Sequence, residues 1–498
     1  MSEPTELAWR CGVCGYIHRG ANPPENCPVC GAARSDFEPY RPPSAPPPGE
    51  PTDGWRCTNC GYVHKASGAP DECPLCGAGK GDFIPAAPAT TATPARTGGT
   101  VVVVGAGIAG LSAVEALREA SPKTRIVLLA RESHLPYYRL NLTRYLAGQF
   151  AREELPLHPA SWYDDNRVEL LTGLEATGLS PQEHSLQLSD GRAISYDKLI
   201  LTAGAHPFVP PLPGAALAGV HSVRTVDDAD AILSALRPGV RCVCIGGGIL
   251  GIETAAGLAR RGAAVVLLES HPWLMPRQLN RRAGELLADF VVAAGVQLIT
   301  EARTRELVGS DRVTGVSLED GRTVPCDLVV LATGVRPNSH LARKAALEVN
   351  QGVVVDNCLA TSAPDILAAG DVCEHHGVLY GNWAAAQYQG SIAGMNAAGL
   401  GVEFGGIPRS NTLKVLGVDM VSTGQFEPAD GSFLVAERQA DGAYFRFVLH
   451  DGLLVGAVML GEASLAGRIK KAIESRRDFS AVLAGGATVQ GVVDHLPR

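Results

Sequence analysis

Four consecutive valines, Val101 to Val104, run into Gly105-Ala106-Gly107-Ile108-Ala109-Gly110 and then into a helical stretch from Leu111 to Arg118. A short apolar run without alternation reads as a strand buried on both faces, as in a parallel sheet. The pattern recurs at Cys242-Val243-Cys244-Ile245, which leads into Gly246-Gly247-Gly248-Ile249-Leu250-Gly251, with Val265-Val266-Leu267-Leu268 as the next strand. Further on, Asn411 to Gln425, Tyr444 to His450 and Leu453 to Met459 read as strands and Ala463 to Ser475 as a helix, a separate α+β unit over 405–498. Arg41 to Pro51 and Pro85 to Gly99 are rich in Pro, Ala, Ser and Thr and read as linkers. At ~3.1 Å per residue for extended proline-rich chain, either spans about 30 to 45 Å, enough for a module to swing onto a neighbouring domain or to be held away from it.

The two glycine turns have the spacing of dinucleotide sites. Gly105 allows the tight turn, Gly107 lets backbone approach a pyrophosphate, and Gly110 lets the helix pack close while its N-terminus faces the phosphates. Gly246, Gly248 and Gly251 repeat the arrangement. Each turn is followed by an acid placed to take ribose hydroxyls: Glu132 lies 22 residues past Gly110, and Glu269 lies 18 past Gly251. A carboxylate at Glu269 repels a 2′-phosphate, which favours NADH over NADPH. Two such sites imply two nucleotides.

Of 13 cysteines, eight fall in Cys-x-x-Cys pairs within the first 80 residues. Residues 9–38 and 55–84 are a repeat with a period of 46, so Cys11, Cys14, Cys27 and Cys30 form one set and Cys57, Cys60, Cys73 and Cys76 another. Four thiolates on two knuckles make a tetrahedral cage suited to Zn or Fe, and a unit of about 30 residues needs that metal to hold it together. Glycines directly after cysteines, at 15, 31, 61 and 77, bring backbone N–H groups to the sulfurs and favour a redox-tuned iron. A pair of zinc ribbons used only for docking is the alternative.

The Cys-Gly-Tyr and Cys-Pro-x-Cys-Gly knuckles, with Trp9, Tyr16 and Phe37 and their repeats, resemble rubredoxin in the short form that ends rubrerythrins. The glycine turns, the segment His134 to Arg144, and the later Leu201-Thr202-Ala203-Gly204, Leu331-Ala332-Thr333-Gly334 and Ala369-Gly370-Asp371 together resemble the flavoprotein disulfide-reductase superfamily. The resemblance runs over about 100–400, in the branch holding ferredoxin, rubredoxin and nitrite reductases. It implies an α/β chain in which two dinucleotide-binding domains are nested, FAD in the first turn and NAD(H) in the second. The implied order is a rubredoxin-like module (5–40), a linker (41–51), a second module (52–84), a linker (85–99), a first FAD-binding segment (100–220), an NAD(H)-binding domain (221–336), a second FAD-binding segment (337–404) and a C-terminal α+β reductase domain (405–498). It also implies that Asp371, after Gly370, contacts the flavin ribityl, that Thr202 and Gly204 lie beside the cofactor with Arg139, and that Glu253 positions the nicotinamide. The plainer reading of Glu253 is an acid in the first helical turn, favoured by the dipole. The family's usual lysine near the flavin is replaced by Thr143-Arg144.

A net charge of −8 with no basic face argues against nucleic acid, and no apolar run approaches the ~20 residues of a membrane span. Without a leader before Trp9, the expectation is a cytoplasmic protein, compatible with a homodimer. No cysteine lies in Leu111 to Ala120 or Pro136 to Thr143, where a dithiol or peroxide-reducing thiol would meet the flavin. Cys242, Cys244, Cys326 and Cys358 read as core filler, while Cys373 is the one placed to approach the cofactor. A hydride carries two electrons and an iron–tetrathiolate accepts one, so a flavin between NADH and two cages matches the stoichiometry. The expected function is an NADH:rubredoxin-type oxidoreductase with two acceptors in cis, feeding a rubrerythrin, flavodiiron or similar protein. The alternatives are an NADH oxidase or peroxidase, or an electron-supply component for nitrite or nitric-oxide reduction.

Overall fold

The computed structural model describes residues 8–11, 17–19, 22–25, 34–40, 55–57, 63–64, 83–85, 99–406, 410–412, 417–428, 430–440, 442–462, 464–474, 476–483 and 485–497. Two five-stranded parallel sheets form its centre. In the first, Ile366–Ala368, Lys198–Leu201, Thr100–Val104, Arg125–Leu129 and Val168–Leu171 lie side by side in that order. In the second the order is Val220–Ser222, Leu328–Leu331, Arg241–Ile245, Ala264–Leu268 and Val296–Ile299. Each glycine turn therefore leaves the middle strand of its sheet. The apolar runs are buried on both faces because helices pack on one side of the sheet and a three-stranded meander on the other. The strand Ile366–Ala368 pairs back onto Lys198–Leu201, so the second sheet is an insertion into the first unit.

Each sheet carries a three-stranded antiparallel meander: Ala176–Ser180, Ser185–Leu188 and Ala193–Ser195 on one, Thr304–Gly309, Val313–Leu318 and Thr323–Pro325 on the other. The helix Ile108–Ala120 packs against Trp383–Ala397 at unusually close range. A Cβ at Gly390 or Gly394 would lie 2.2 Å from the carbonyl oxygen of Ala109 or Ala113. That contact fixes the long buried helix to the first glycine turn.

The C-terminal unit is a five-stranded antiparallel sheet ordered Ser410–Thr412, Met420–Gly424, Leu453–Leu460, Ala443–His450 and Leu434–Ala440. Two sequence expectations are corrected here. The stretch from Asn411 to Gln425 is two strands paired antiparallel, with Gly417 at φ +68° between them. Leu434–Ala440, unassigned from sequence because the polar run Glu437-Arg438-Gln439 interrupts it, is an edge strand. Side chains alternate with the pleat. Met420, Tyr444, Val458 and Leu460 join the core of the inserted unit, where Tyr444 accepts from the Asn280 amide at 2.8 Å. Val421, Phe445, Phe447 and Met459 face the helices Ala466–Glu474 and Val489–His495.

The two N-terminal repeats form equivalent three-stranded antiparallel sheets. Ala8–Cys11 lies between Ile17–Arg19 and Phe37–Tyr40, and Trp55–Cys57 between Val63–His64 and Phe83–Pro85. Cys11 stands opposite Phe37 and Cys57 opposite Phe83, so the 46-residue period persists in register. Of the eight paired cysteines, Cys11 and Cys57 are described by their backbone alone and the other six lie outside the described residues. No described helix is long and apolar enough to cross a membrane.

Candidate active site

The first glycine turn opens on a cavity of about 670 Å³. Its geometry follows from what a side chain would meet. Gly105 has φ +112°, and a Cβ there would lie 2.3 Å from the Thr202 carbonyl oxygen; one at Gly110 would lie 1.9 Å from the Gly105 carbonyl oxygen. Gly107, by contrast, has nothing within 4 Å and caps the helix Ile108–Ala120 without any side-chain bond to its first turn. The backbone is thus closed behind the turn and open in front of it, where an anion can meet the N-terminal N–H groups.

Six residues picked from sequence, Gly105, Gly107, Glu132, Arg139, Thr202 and Gly204, line this cavity. Thr202 clamps the turn by donating its hydroxyl to the Gly105 and Val104 carbonyls at 2.7 and 3.1 Å. Glu132 accepts from the Tyr137 hydroxyl at 2.6 Å and from Arg139 at 2.7 Å. Burial, with the adjacent Glu132 charge, pushes the Tyr137 phenol above its ordinary range despite Arg139. Burial works against the Arg139 charge, but Tyr137 and Glu132 outweigh it and raise its pKa. Arg139 also donates to the Arg224 carbonyl.

Gly370 and Asp371 are not among the lining residues. Asp371 is paired with Arg224 at 2.9 Å, and Arg224 does line the cavity. The Gly370 N–H donates to Gln389 at 2.9 Å. Sequence reasoning passed over Arg224, which carries no local motif and reaches Asp371 only through the fold. Cavity size, anion cradle, acid and clamped turn suit the adenosine pyrophosphate of a dinucleotide.

The second turn repeats the first. Gly246 has φ +114°, a Cβ at Gly251 would lie 1.9 Å from the Gly246 carbonyl, and Gly248 is open. Its acid differs. Glu269 is buried, one oxygen accepting from the Gly247 N–H at 2.7 Å, the other from the His271 N–H at 2.8 Å, with His271 Nδ1 at 2.8 Å and the Ser270 hydroxyl at 3.1 Å. Glu253 is buried on the helix Ile249–Arg260 and accepts from Thr143 of Leu142–Leu146 at 2.7 Å. No acid occupies the first turn of that helix, so the dipole reading of Glu253 does not hold. Arg144 lies over the Phe150 ring at 4.5 Å, is bonded to Gln149 at 3.2 Å and feels the Glu253 carboxylate, although burial lowers its pKa on balance.

Cys373 does not line the cavity: its thiol is buried, 3.4 Å from Gln389, and burial pushes it up to about 12. Burial likewise pushes Cys326 up to about 12. Cys242 is raised by its hydrogen bond to Cys244 and by burial. These are inert core thiols at neutral pH.

The family model described as pyridine nucleotide-disulphide oxidoreductase matches residues 99–390. The chain belongs to this family. Around that segment, the rubrerythrin rubredoxin-like domain matches 9–38 and 55–84, and the rubredoxin NAD+ reductase C-terminal domain matches 410–477. Among curated members of the family, the chain is 34% identical to nitrite reductase [NAD(P)H] of Bacillus subtilis, over 76% of this chain and 48% of that one. It is 30% identical to NADH-rubredoxin oxidoreductase of Clostridium acetobutylicum, over 76% of this chain and 95% of that one. It thus spans about half the length of the Bacillus relative and nearly all of the Clostridium one. The solved structure of that Clostridium NADH:rubredoxin oxidoreductase superposes with a TM-score of 0.68 at 28% identity, covering 80% of this chain and 100% of that one. The covalent putidaredoxin reductase–putidaredoxin complex superposes at 0.70 and 28% identity, covering 76% and 94%.

Proposed function

We propose that this chain carries electrons from NADH, by way of FAD, to two iron–tetrathiolate modules in cis and on to a downstream redox protein such as a rubrerythrin or flavodiiron protein. The observation that carries the reading is one of composition. Two rubredoxin-like matches precede a reductase whose C-terminal segment matches that of rubredoxin NAD+ reductase. When bound, FAD supplies the conversion of a two-electron hydride into single electrons. The balance is NADH plus two ferric cages giving NAD+, two ferrous cages and a proton.

In this reading the backbone from Gly105 to Gly107 receives the FAD pyrophosphate and Glu132 the ribose hydroxyls. Asp371 faces the ribityl chain, its carboxylate oriented by Arg224. The turn from Gly246 to Gly248 receives the NADH pyrophosphate, and Glu269 its ribose, with a preference against NADPH. Glu253, held by Thr143, positions the nicotinamide. Cys11, Cys14, Cys27 and Cys30 hold one iron; Cys57, Cys60, Cys73 and Cys76 hold the other; zinc is the competing occupant.

Anaerobic titration with NADH, followed by visible absorption, tests this. The reading expects flavin and iron–thiolate bands to bleach together, with deletion of residues 1–95 leaving flavin bleaching intact and slowing delivery to an external acceptor at least tenfold. Flavin bleaching alone, in protein that carries zinc, refutes it. The similarity to nitrite reductase favours a second reading, supply of electrons to nitrite reduction. The two differ in whether a nitrite-reducing partner or a rubrerythrin-like one takes electrons faster from the reduced chain.

A further inference from the structure

We propose that the first N-terminal module is a flavin-side acceptor, and that an aromatic seat on the reductase holds it there. Phe37 of that module is buried, at 8% exposure, within the core formed by the C-terminal sheet and its helices. Tyr138 belongs to the same cluster, and Trp9, Leu140 and Trp383 pack against it. A phenylalanine on a unit of about 30 residues has little core of its own to enter; here it enters another domain's core. One large aromatic anchor in an apolar pocket is the usual form of an interaction hot spot.

The seat is contiguous with the cofactor cavity. Tyr137 and Arg139 line the cavity, while Tyr138 between them joins the cluster that holds Phe37. The Tyr138 ring lies 4.3 Å from that of Trp383, at 34°. Trp383 opens the helix Trp383–Ala397, which Gly390 and Gly394 lock against the helix of the first glycine turn. The wall is therefore rigid and shared: one side meets the dinucleotide, the other meets the module. On the module's side, Phe37 stands opposite Cys11 in the strand register, so the inserted ring and a metal-ligand position occupy facing places on adjacent strands. A module seated here is next to the flavoprotein's cavity without any swing of its linker.

The electron-transfer claim rests on the relay proposed above; the seat itself rests on packing alone. The test uses the full-length holoprotein and reads amide hydrogen exchange reciprocally. In Phe37→Asp, exchange is read over residues 138–142 and 383–386; in Leu140→Glu, it is read over 34–40. Loss of one buried aromatic contact should raise the released fraction roughly tenfold or more, and exchange at the opposite partner with it. Metal content establishes that both cages remain filled in Leu140→Glu, whose modules are unaltered in sequence. Both variants should also slow iron bleaching after NADH at least tenfold with flavin reduction unchanged. Phe83→Asp, the matching change in the second module, should leave exchange over 138–142 and 383–386 as in the wild type. Unchanged exchange in both first-module and seat variants overturns the seat, as does a rise in Phe83→Asp equal to that in Phe37→Asp. Responsive exchange in protein whose iron never bleaches keeps the seat and refutes the relay.

Discussion

Gly107 and Gly110 are three residues apart in one turn, and replacing each with alanine should separate folding from cofactor binding. At Gly110 the new methyl would sit 1.9 Å from the Gly105 carbonyl oxygen and 2.8 Å from the Thr202 hydroxyl. Contacts below 3.0 Å are essentially never seen, so the helix Ile108–Ala120 must retreat by about 1 Å from a turn that Thr202 clamps. Overpacking of this kind costs about 1–3 kcal/mol or more, and at roughly 2–4 °C per kcal/mol the apoprotein Tm should fall by several degrees. Gly107 has φ −76°, comfortable for alanine, and nothing within 4 Å. There the gain of about 0.4–1 kcal/mol from a less flexible unfolded chain is offset by alanine's poorer capping, leaving apoprotein stability within about 1 kcal/mol. The methyl does, however, stand where a phosphate would approach. FAD affinity should drop at least tenfold, about 1.4 kcal/mol. Calorimetry of the apoproteins and FAD titration by fluorescence read the two effects separately. Wild-type FAD affinity in Gly107→Ala would show that no phosphate lies over this turn, and an unchanged Tm in Gly110→Ala would refute the packing argument.

Glu269→Gln should weaken NADH binding and narrow the preference over NADPH, measured as the ratio of kcat/KM for the two. An unchanged ratio would mean that the bonds from Gly247 and His271 leave Glu269 no ribose role. Asp327 bonds Arg241 through both oxygens, at 2.8 and 3.1 Å, and these bonds hold its pKa at about 2, below the usual 3.8. A lowered folded pKa stabilises above the unfolded value and is lost as pH falls through 4 towards 2. Asp327→Asn should therefore lower stability by at most about 1 kcal/mol at neutral pH, as for other largely exposed pairs, with the difference vanishing near pH 2 in pH-resolved melting. Cys373 and Cys326, with thiols at about 12, should resist alkylation in native protein at pH 8 and react after unfolding. Rapid native labelling of Cys373, read by peptide mass, would reopen a thiol role.

What the chain states locally, it states completely enough to read. A glycine turn between a buried strand and a helix closes within about ten residues, so Gly105, Gly107 and Gly110 and their counterparts at Gly246, Gly248 and Gly251 are legible without a fold. The cysteine repeat is legible for the same reason, since its period is written twice. The C-terminal strands were only partly legible: the apolar runs from Ala443 to Leu460 are dense, whereas the edge strand Leu434–Ala440, broken by Glu437-Arg438-Gln439, has no one-dimensional signature.

Partner choice across long separations was decided by tertiary structure alone. Thr143 and Glu253 are 110 positions apart, Arg224 and Asp371 are 147 apart, and nothing near either residue encodes the other. Cys373, two residues past Asp371, seemed from sequence to face the cofactor, but the 3-10 turn Gly370–Val372 comes between them, and Cys373 opens the strand Cys373–His375 with its thiol in the core. Tyr138 likewise joins the cluster that holds Phe37, while its neighbours Tyr137 and Arg139 line the cavity. Sequence determined which short pieces could bind nucleotide and metal, because those pieces close on themselves. The fold determined which charges are paired, which thiols are silent and that Phe37 enters the core of the C-terminal unit, because each depends on packing between segments far apart along the chain.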